Sequence, residues 1–92
     1  MRHNRRNIYF NELIGLHVKI LEYPDQKLIG LEGRILDETY KSFLIETLNG
    51  RIIRVFKEHG IFQFITPQNS RFIVKGIRLV GRPEDRLKNI MR

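Results

Sequence analysis

The chain contains no cysteine. This absence excludes disulfide bonds, a thiol nucleophile and every zinc site that includes a cysteine ligand. The three histidines, His3, His17 and His59, lie far apart, and none has the HxxxH or HExxH spacing of a helical metal site. We therefore expect this chain to bind no metal ion and no other cofactor.

Long apolar runs are also missing. No stretch approaches the roughly 18 apolar residues of a membrane span. The basic start over residues 1–6 is not followed by the apolar segment and small-residue cleavage site of a signal peptide. These features predict a cytoplasmic protein without membrane contact.

Catalytic groupings are absent from the sequence as well. There is no glycine-rich phosphate loop, no GxSxG elbow and no histidine beside a plausible nucleophile. Of the acidic pairs, Asp37 and Glu38 are predicted to point to opposite faces of a strand, and Glu84 and Asp85 suit the start of a helix. We predict no catalytic residue in this chain.

Positive charge, by contrast, is in excess. The 92 residues, enough for one domain, include 17 Lys and Arg against 10 Asp and Glu, for a net charge of +7 and a pI near 10.3. The bases are concentrated at the two ends and in the second half of the chain, whereas residues 11–50 are acidic overall. This distribution favours a polyanionic partner, above all a nucleic acid, provided that the fold brings the basic segments together.

The predicted secondary structure is mainly β. Period-two alternation predicts a strand over residues 16–23, and further strands are predicted over 31–38, 43–48, 51–56, 61–66 and 71–79. Gly30 and Gly33 suggest a bulge or tight bend, and Gly76 a bulge. Short strands at this spacing indicate a small, strongly bent antiparallel barrel, because closure removes unpaired edges.

A hairpin is predicted at Asn49 and Gly50. A two-residue type I′ turn would place Leu48 opposite Arg51 and, further along, Phe43 opposite Phe56. Both hairpin faces would then be apolar, with Leu44, Ile53 and Val55 on one and Phe43, Ile45, Ile52 and Phe56 on the other. The second apolar face is either a docking surface or is buried by a strongly bent strand.

Short helices are predicted at both ends of the domain. Asn11 can cap a helical turn that stops at Gly15. Pro83 suits the first position of a C-terminal helix, where Glu84 and Asp85 complement the helix dipole. The predicted division is a flexible basic arm over residues 1–7 and one domain over residues 8–92.

The candidate RNA-binding residues are arginines and lysines of the ends and of the second half. Arginine forks match phosphate geometry, and such contacts position RNA without reading its sequence. For any one of them, a solvated strand face is an equally good interpretation. The predicted set is Arg2, Arg5, Arg6, Arg51, Arg54, Lys57, Arg71, Lys75, Arg78, Arg82 and Arg86.

Four segments resemble a known family. They are NELIGLHVKI at 11–20, LIGLEGRILDET at 28–39, FLIETLNGR at 43–51 and LVGRPEDR at 79–86. In this order they resemble the Sm-like barrel subunit of archaeal and eukaryotic ribonuclease P, over about residues 8–90. ELIG before the first strand and RPEDR after the last are the specific features.

The resemblance implies a six-stranded antiparallel barrel with short terminal helices, acting as an RNA-binding subunit of the endoribonuclease that removes the 5′ leader of precursor tRNA. In that family the RNA subunit is the catalyst and uses divalent metal ions, expected to be magnesium. The implied partners are ribonuclease P RNA, a zinc-ribbon protein subunit, other ribonuclease P proteins and, indirectly, precursor tRNA; the chain alone would be a monomer. Structural roles are implied for Gly30, Gly33, Pro83, Glu84 and Asp85, and RNA contacts or pairing with barrel acids for Arg82 and Arg86.

Three alternatives remain open from the sequence. A ribosomal protein with an SH3-like barrel would also be small, basic and β-rich. An Sm-type ring would show as six or seven subunits on gel filtration. A stand-alone nuclease would cleave without any RNA subunit.

Overall fold

The computed structural model describes residues 13–81 of the chain. They form six antiparallel strands in the sheet order β4-β3-β2-β1-β5-β6. The strands are β1 His17–Glu22, β2 Glu32–Glu38, β3 Ser42–Thr47, β4 Ile52–Phe56, β5 Ile61–Ile65 and β6 Arg71–Lys75. Short 3-10 turns cover Gln26–Leu28, Lys57–His59 and Gly76–Leu79. The all-β, six-stranded antiparallel prediction is confirmed.

Within the described residues, β4 and β6 end the sheet and do not pair with each other. The 3-10 turns that follow them meet instead, because the Gly76 amide donates to the Gly60 carbonyl at 2.8 Å. A Cβ at position 76 would lie 1.8 Å from the Lys57 carbonyl oxygen, so only glycine fits there. Gly76 therefore begins a turn between the two end strands, and the prediction that β6 continues past a bulge to residue 79 is wrong.

The core lies on one side of the curled sheet. Alternate residues of β1 and β5 point inward, and the rings of Phe43, Phe62 and Phe64 pack edge to face or tilted at centroid distances of 5.4 to 6.5 Å. Gly33 lies where β2 and β3 approach closely, since a Cβ there would be 2.0 Å from the Glu46 carbonyl oxygen. The bulge of β2 falls between Ile35 and Asp37, while Gly30 occupies a turn with φ +89°.

The hairpin at Asn49 and Gly50 is present, but its predicted register is wrong by one residue. Phe43 pairs with Val55 and Ile45 with Ile53. The loop has three residues, since the Thr47 amide donates to the Arg51 carbonyl at 2.7 Å, and only Gly50 has positive φ. The Thr47 hydroxyl accepts from the Arg51 amide at 3.1 Å and also contacts the Asn49 side chain, which fixes this wider turn.

This shift changes which hairpin residues share a face. Phe43, Ile45 and Val55 are buried, whereas Ile52 and Phe56 are 61% and 46% exposed. Of the residues predicted to share a face with Phe43, Ile45 is therefore buried with it, whereas Ile52 and Phe56 are exposed. The predicted C-terminal helix, the arm over residues 1–7 and the predicted cap Asn11 lie outside the described residues. Of the predicted N-terminal turn, residues 13–15 are described, and Gly15 has φ +91°. No helix among residues 13–81 is long and apolar enough to cross a membrane.

Candidate nucleic-acid interface

A continuous line of paired residues crosses the outer face of all six strands. Each member is directly opposite the next, and none of them is buried. We call this line the outer row; it consists of Arg71, Ile65, His17, Arg34, Glu46 and Ile52. It arises because the inward neighbours, such as Val18 of β1 and Phe64 of β5, fill the core and so force their flanking residues outward.

Two basic members of the outer row, His17 and Arg34, are directly paired, and one residue, Ile65, separates them from the third, Arg71. His17 pairs with Arg34 on one side and with Ile65 on the other, and Ile65 pairs with Arg71. A shallow depression of about 200 Å³ is lined by His17, Arg34 and Ile65 together with Thr66 and Pro67. Two nitrogen-bearing side chains, His17 and Arg34, thus border one concave part of the surface, and Arg71 pairs with Ile65 of its lining.

Acidic side chains moderate this positive surface. The His17 Nε2 lies 3.4 Å from an oxygen of Glu32, and both side chains are partly exposed. Glu46 lies opposite Arg34 in the outer row. A polyanion that approaches the outer row therefore meets basic side chains on β6, β1 and β2, and carboxylates beside His17 and opposite Arg34.

The predicted bases do not form one cluster. Arg71 belongs to the outer row, whereas Lys75 borders a different depression of about 440 Å³ that also includes Tyr23 and His59. Arg54 is exposed on β4 and donates from Nη1 to the Ser42 hydroxyl at 2.8 Å. Arg51 and Arg78 are exposed. Arg2, Arg5, Arg6, Arg82 and Arg86 lie outside the described residues, as do Pro83, Glu84 and Asp85.

Lys57 was predicted to contact RNA, but its side chain is fully buried. Its Nζ donates to Glu38 Oε2 at 2.7 Å and to the carbonyls of Thr39 at 2.8 Å and Gly81 at 3.0 Å. The prediction is therefore corrected, because an ammonium that is enclosed by protein acceptors cannot reach a phosphate. Lys57 lies two residues after the buried Val55, so strand alternation alone would have predicted that it points inward. We predicted exposure because the residue is charged.

Two bases of the outer row, His17 and Arg34, are absent from the set predicted from the sequence. His17 and Lys19 alternate with the core residues Val18 and Ile20, so their outward direction could be predicted. The proximity of His17 to Arg71 could not, because it depends on the register of β1 with β5 and of β5 with β6.

Comparisons with known proteins agree on one family. The family model described as "Ribonuclease P/MRP, subunit p29" matches residues 6–89. The chain is similar to "Ribonuclease P protein component 1" of Staphylothermus marinus, with 58% identity over 92 residues and full coverage of both chains. It is 42% identical to the protein of the same name from Methanothermobacter thermautotrophicus, covering 95% of this chain and 94% of that one.

A solved structure gives the same result. The structure of Mth11, described as a homologue of human RNase P protein Rpp29, is similar with a TM-score of 0.60 and 41% sequence identity. The match covers 82% of this chain and 96% of that one. Sequence and fold therefore agree along nearly the whole length.

Proposed function

Because this chain belongs to the family of subunit p29 of ribonuclease P and MRP, we propose that it binds ribonuclease P RNA and supports that RNA in removing the 5′ leader from precursor tRNA. The observation that carries the proposal is the combination of family membership over residues 6–89 with an outer face on which bases from β1, β2 and β6 lie in one row. The chain acts as a subunit of an endoribonuclease, and the RNA performs the catalysis.

The RNA contact is made chiefly to phosphates. Arginine presents a planar set of donors that fits two phosphate oxygens, and Arg34 and Arg71 offer this group on the same face. Such contacts depend on RNA shape rather than on base identity, as suits a protein that supports a folded RNA. His17, between them, supplies a further donor.

The bases of the two ends add to the RNA contacts in this proposal. Arg2, Arg5 and Arg6 form an RNA-contacting arm, and Arg82 and Arg86 contact RNA beyond the last described residue. Deletion of residues 1–7 should lower RNA affinity and reduce its dependence on salt, because each lost phosphate contact lowers the number of counterions released. An unchanged salt slope would remove the arm from the proposal.

The remaining components belong to the holoenzyme. Its divalent ions, magnesium in the first place, bind to the RNA rather than to this chain, and a zinc-ribbon subunit is the protein partner. A cysteine-free chain suits an assembly in which another subunit carries the zinc. A cytoplasmic location goes with this assignment.

The test is an omission experiment. Ribonuclease P is reconstituted from its RNA and full protein set at near-physiological magnesium, with and without this chain, and cleavage of the precursor-tRNA leader is measured. Activity should fall on omission and return when the chain is added. Activity that does not change would refute the proposed function.

A further inference from the structure

A buried ion pair lies where the described part of the chain begins and ends. The Nζ of Lys57 is 2.7 Å from Glu38 Oε2, and the two side chains are 0% and 5% exposed. The ammonium also lies 5.4 Å from the centre of the Phe43 ring. The RNA-binding surface described above does not include either residue.

The ion pair holds the C-terminal end of the described chain. Lys57 donates to the Gly81 carbonyl at 3.0 Å, and the Gly81 amide donates to the Tyr40 carbonyl at 2.7 Å. Both backbone groups of Gly81 are thus fixed to residues of other elements. The next residue along the chain is Arg82.

The same pair contacts the N-terminal end. The Leu13 amide donates to the other carboxylate oxygen of Glu38 at 3.4 Å, and the Leu13 side chain is fully buried. Three consecutive hydrogen bonds, through Glu38 and Lys57, therefore link Leu13 to Gly81. The first and last described residues of the chain are therefore held beside this one pair.

These segments carry more than half of the net charge. Residues 1–12 contain three bases and one acid, and residues 82–92 contain four bases and two acids, so together they supply +4 of the net +7. Because residues 12 and 82 are bonded directly to Leu13 and Gly81, the two basic segments start close together, as suits joint contact with one polyanion. Linked contacts of this kind strengthen each other through their high effective concentration.

Stability alone does not explain a buried ion pair here. Removing two charges from water is costly, and apolar replacements of such pairs are often as stable or more so. What the pair supplies is fixed geometry. The ammonium of Lys57, in the turn after β4, donates to Glu38 at the end of β2, to the loop that follows β2 and to Gly81, and so joins these three parts of the chain.

We propose that Lys57 and Glu38 are positioning residues for RNA binding, which hold the start of both basic terminal segments at one place so that the segments bind the same RNA jointly. This inference rests on the proposed function, since it assumes that the RNA is the partner. The buried pair would then affect RNA affinity measurably without contacting the RNA.

The test is a cycle of four full-length proteins that bind ribonuclease P RNA transcript over a range of salt concentrations. They are the unchanged chain, Lys57→Met/Glu38→Leu, Arg82→Ser/Arg86→Ser and the combination of all four changes. In the unchanged chain, Arg82→Ser/Arg86→Ser should lower affinity about tenfold or more and reduce the salt slope by about two. In the Lys57→Met/Glu38→Leu background the same change should cost less than about threefold, because the segment is no longer positioned.

Val74→Ala is the matched control, because it lowers stability through the core without contacting the pair. It should leave both the affinity and the cost of Arg82→Ser/Arg86→Ser unchanged. Where Lys57→Met/Glu38→Leu does not fold, Glu38→Gln replaces it and should show the same loss of coupling to a smaller extent. An equal cost in both backgrounds, or a loss of coupling in Val74→Ala as well, would overturn the proposal. If the unchanged chain does not bind the RNA, the proposed function itself fails.

Discussion

Lys57 and Arg71 are both bases at the ends of edge strands, yet the fold uses them in opposite ways. Lys57 is enclosed and directs its ammonium to Glu38 and to backbone carbonyls. Arg71 is exposed at the end of the outer row, beside Ile65 and next to the depression that contains His17. Net charge alone therefore does not identify the RNA-binding bases. Burial directs some of them, such as Lys57, to acceptors within the protein, and only the exposed ones can bind RNA.

The largest effect is expected from Lys57→Met alone. Glu38 would remain buried without its cation, which typically costs about 3–5 kcal/mol of unfolding free energy. Urea denaturation followed by circular dichroism measures the change. The matched control is Lys75→Met at an exposed position of β6, where the change should stay within about 0.5 kcal/mol. Similar losses in the two variants would contradict the contrast between buried and exposed bases.

Gly76→Ala tests the packing that encloses Lys57. The new methyl group would clash with the Lys57 carbonyl oxygen and with the Phe62 ring, so we expect a loss of about 1–3 kcal/mol in unfolding free energy. Ile77→Ala, in the same 3-10 turn but 54% exposed, is the control and should change stability by less than about 0.5 kcal/mol. Thermal and urea denaturation provide the measurement. A Gly76→Ala protein as stable as the original would show that the two turns are not in contact.

Arg34→Ala and Arg71→Ala test the exposed side of the comparison. Each should leave stability within about 0.5 kcal/mol while reducing the slope of log affinity for ribonuclease P RNA against log salt by about one. Filter binding at several salt concentrations measures this slope. Lys27→Ala, in the 3-10 turn Gln26–Leu28 and outside the outer row, is the control and should leave the slope unchanged. Equal effects of all three substitutions would mean that charge alone, and not the outer row, determines binding.

The smallest effect is expected from Glu46→Gln. Glu46 lies opposite Arg34, and removal of its charge should raise RNA affinity about twofold to fivefold at low salt, because exposed charge pairs contribute about 1 kcal/mol or less. The gain should disappear at high salt as screening increases. Asp25→Asn, which changes the same charge in an exposed loop, is the control. A decrease in affinity would show that Glu46 supports Arg34 rather than competing with the RNA.

Much of the fold could be predicted from local patterns. The alternation in residues 16–23 gave β1 to within one residue at each end, and Phe62 and Phe64, two residues apart in the predicted strand 61–66, are both buried in the core. These predictions succeed because strand periodicity depends only on neighbouring residues. The family was also recognisable, since its motifs extend over nearly the whole chain.

The hairpin register could not be predicted from the Asn49-Gly50 pair alone. The deciding group is the hydroxyl of Thr47, which holds a three-residue loop. Thr66 does the same in the β5–β6 hairpin, where its hydroxyl accepts from the Ser70 amide at 3.2 Å and Asn69 takes positive φ. A threonine five residues before the first residue of the returning strand is therefore the signal that the turn rule for Asn-Gly omits.

The candidate site was harder to predict than the fold. Charge and spacing identified Arg71, but its neighbours His17 and Arg34 are distant in sequence and meet it only through strand pairing. The burial of Lys57 depends on Glu38, which pairs with it across 19 positions in the chain. Such long-range contacts are not contained in local sequence patterns.

The proposal that the outer row contacts the RNA is tested most directly by crosslinking. Because the chain has no cysteine, Ile65→Cys introduces a single thiol between Arg71 and His17 in the outer row, to which a photo-crosslinker can be attached. We predict strong crosslinking of this position to ribonuclease P RNA in the reconstituted holoenzyme, and little crosslinking from Lys27→Cys. Crosslinking from position 27 that equals or exceeds that from position 65 would contradict the proposal.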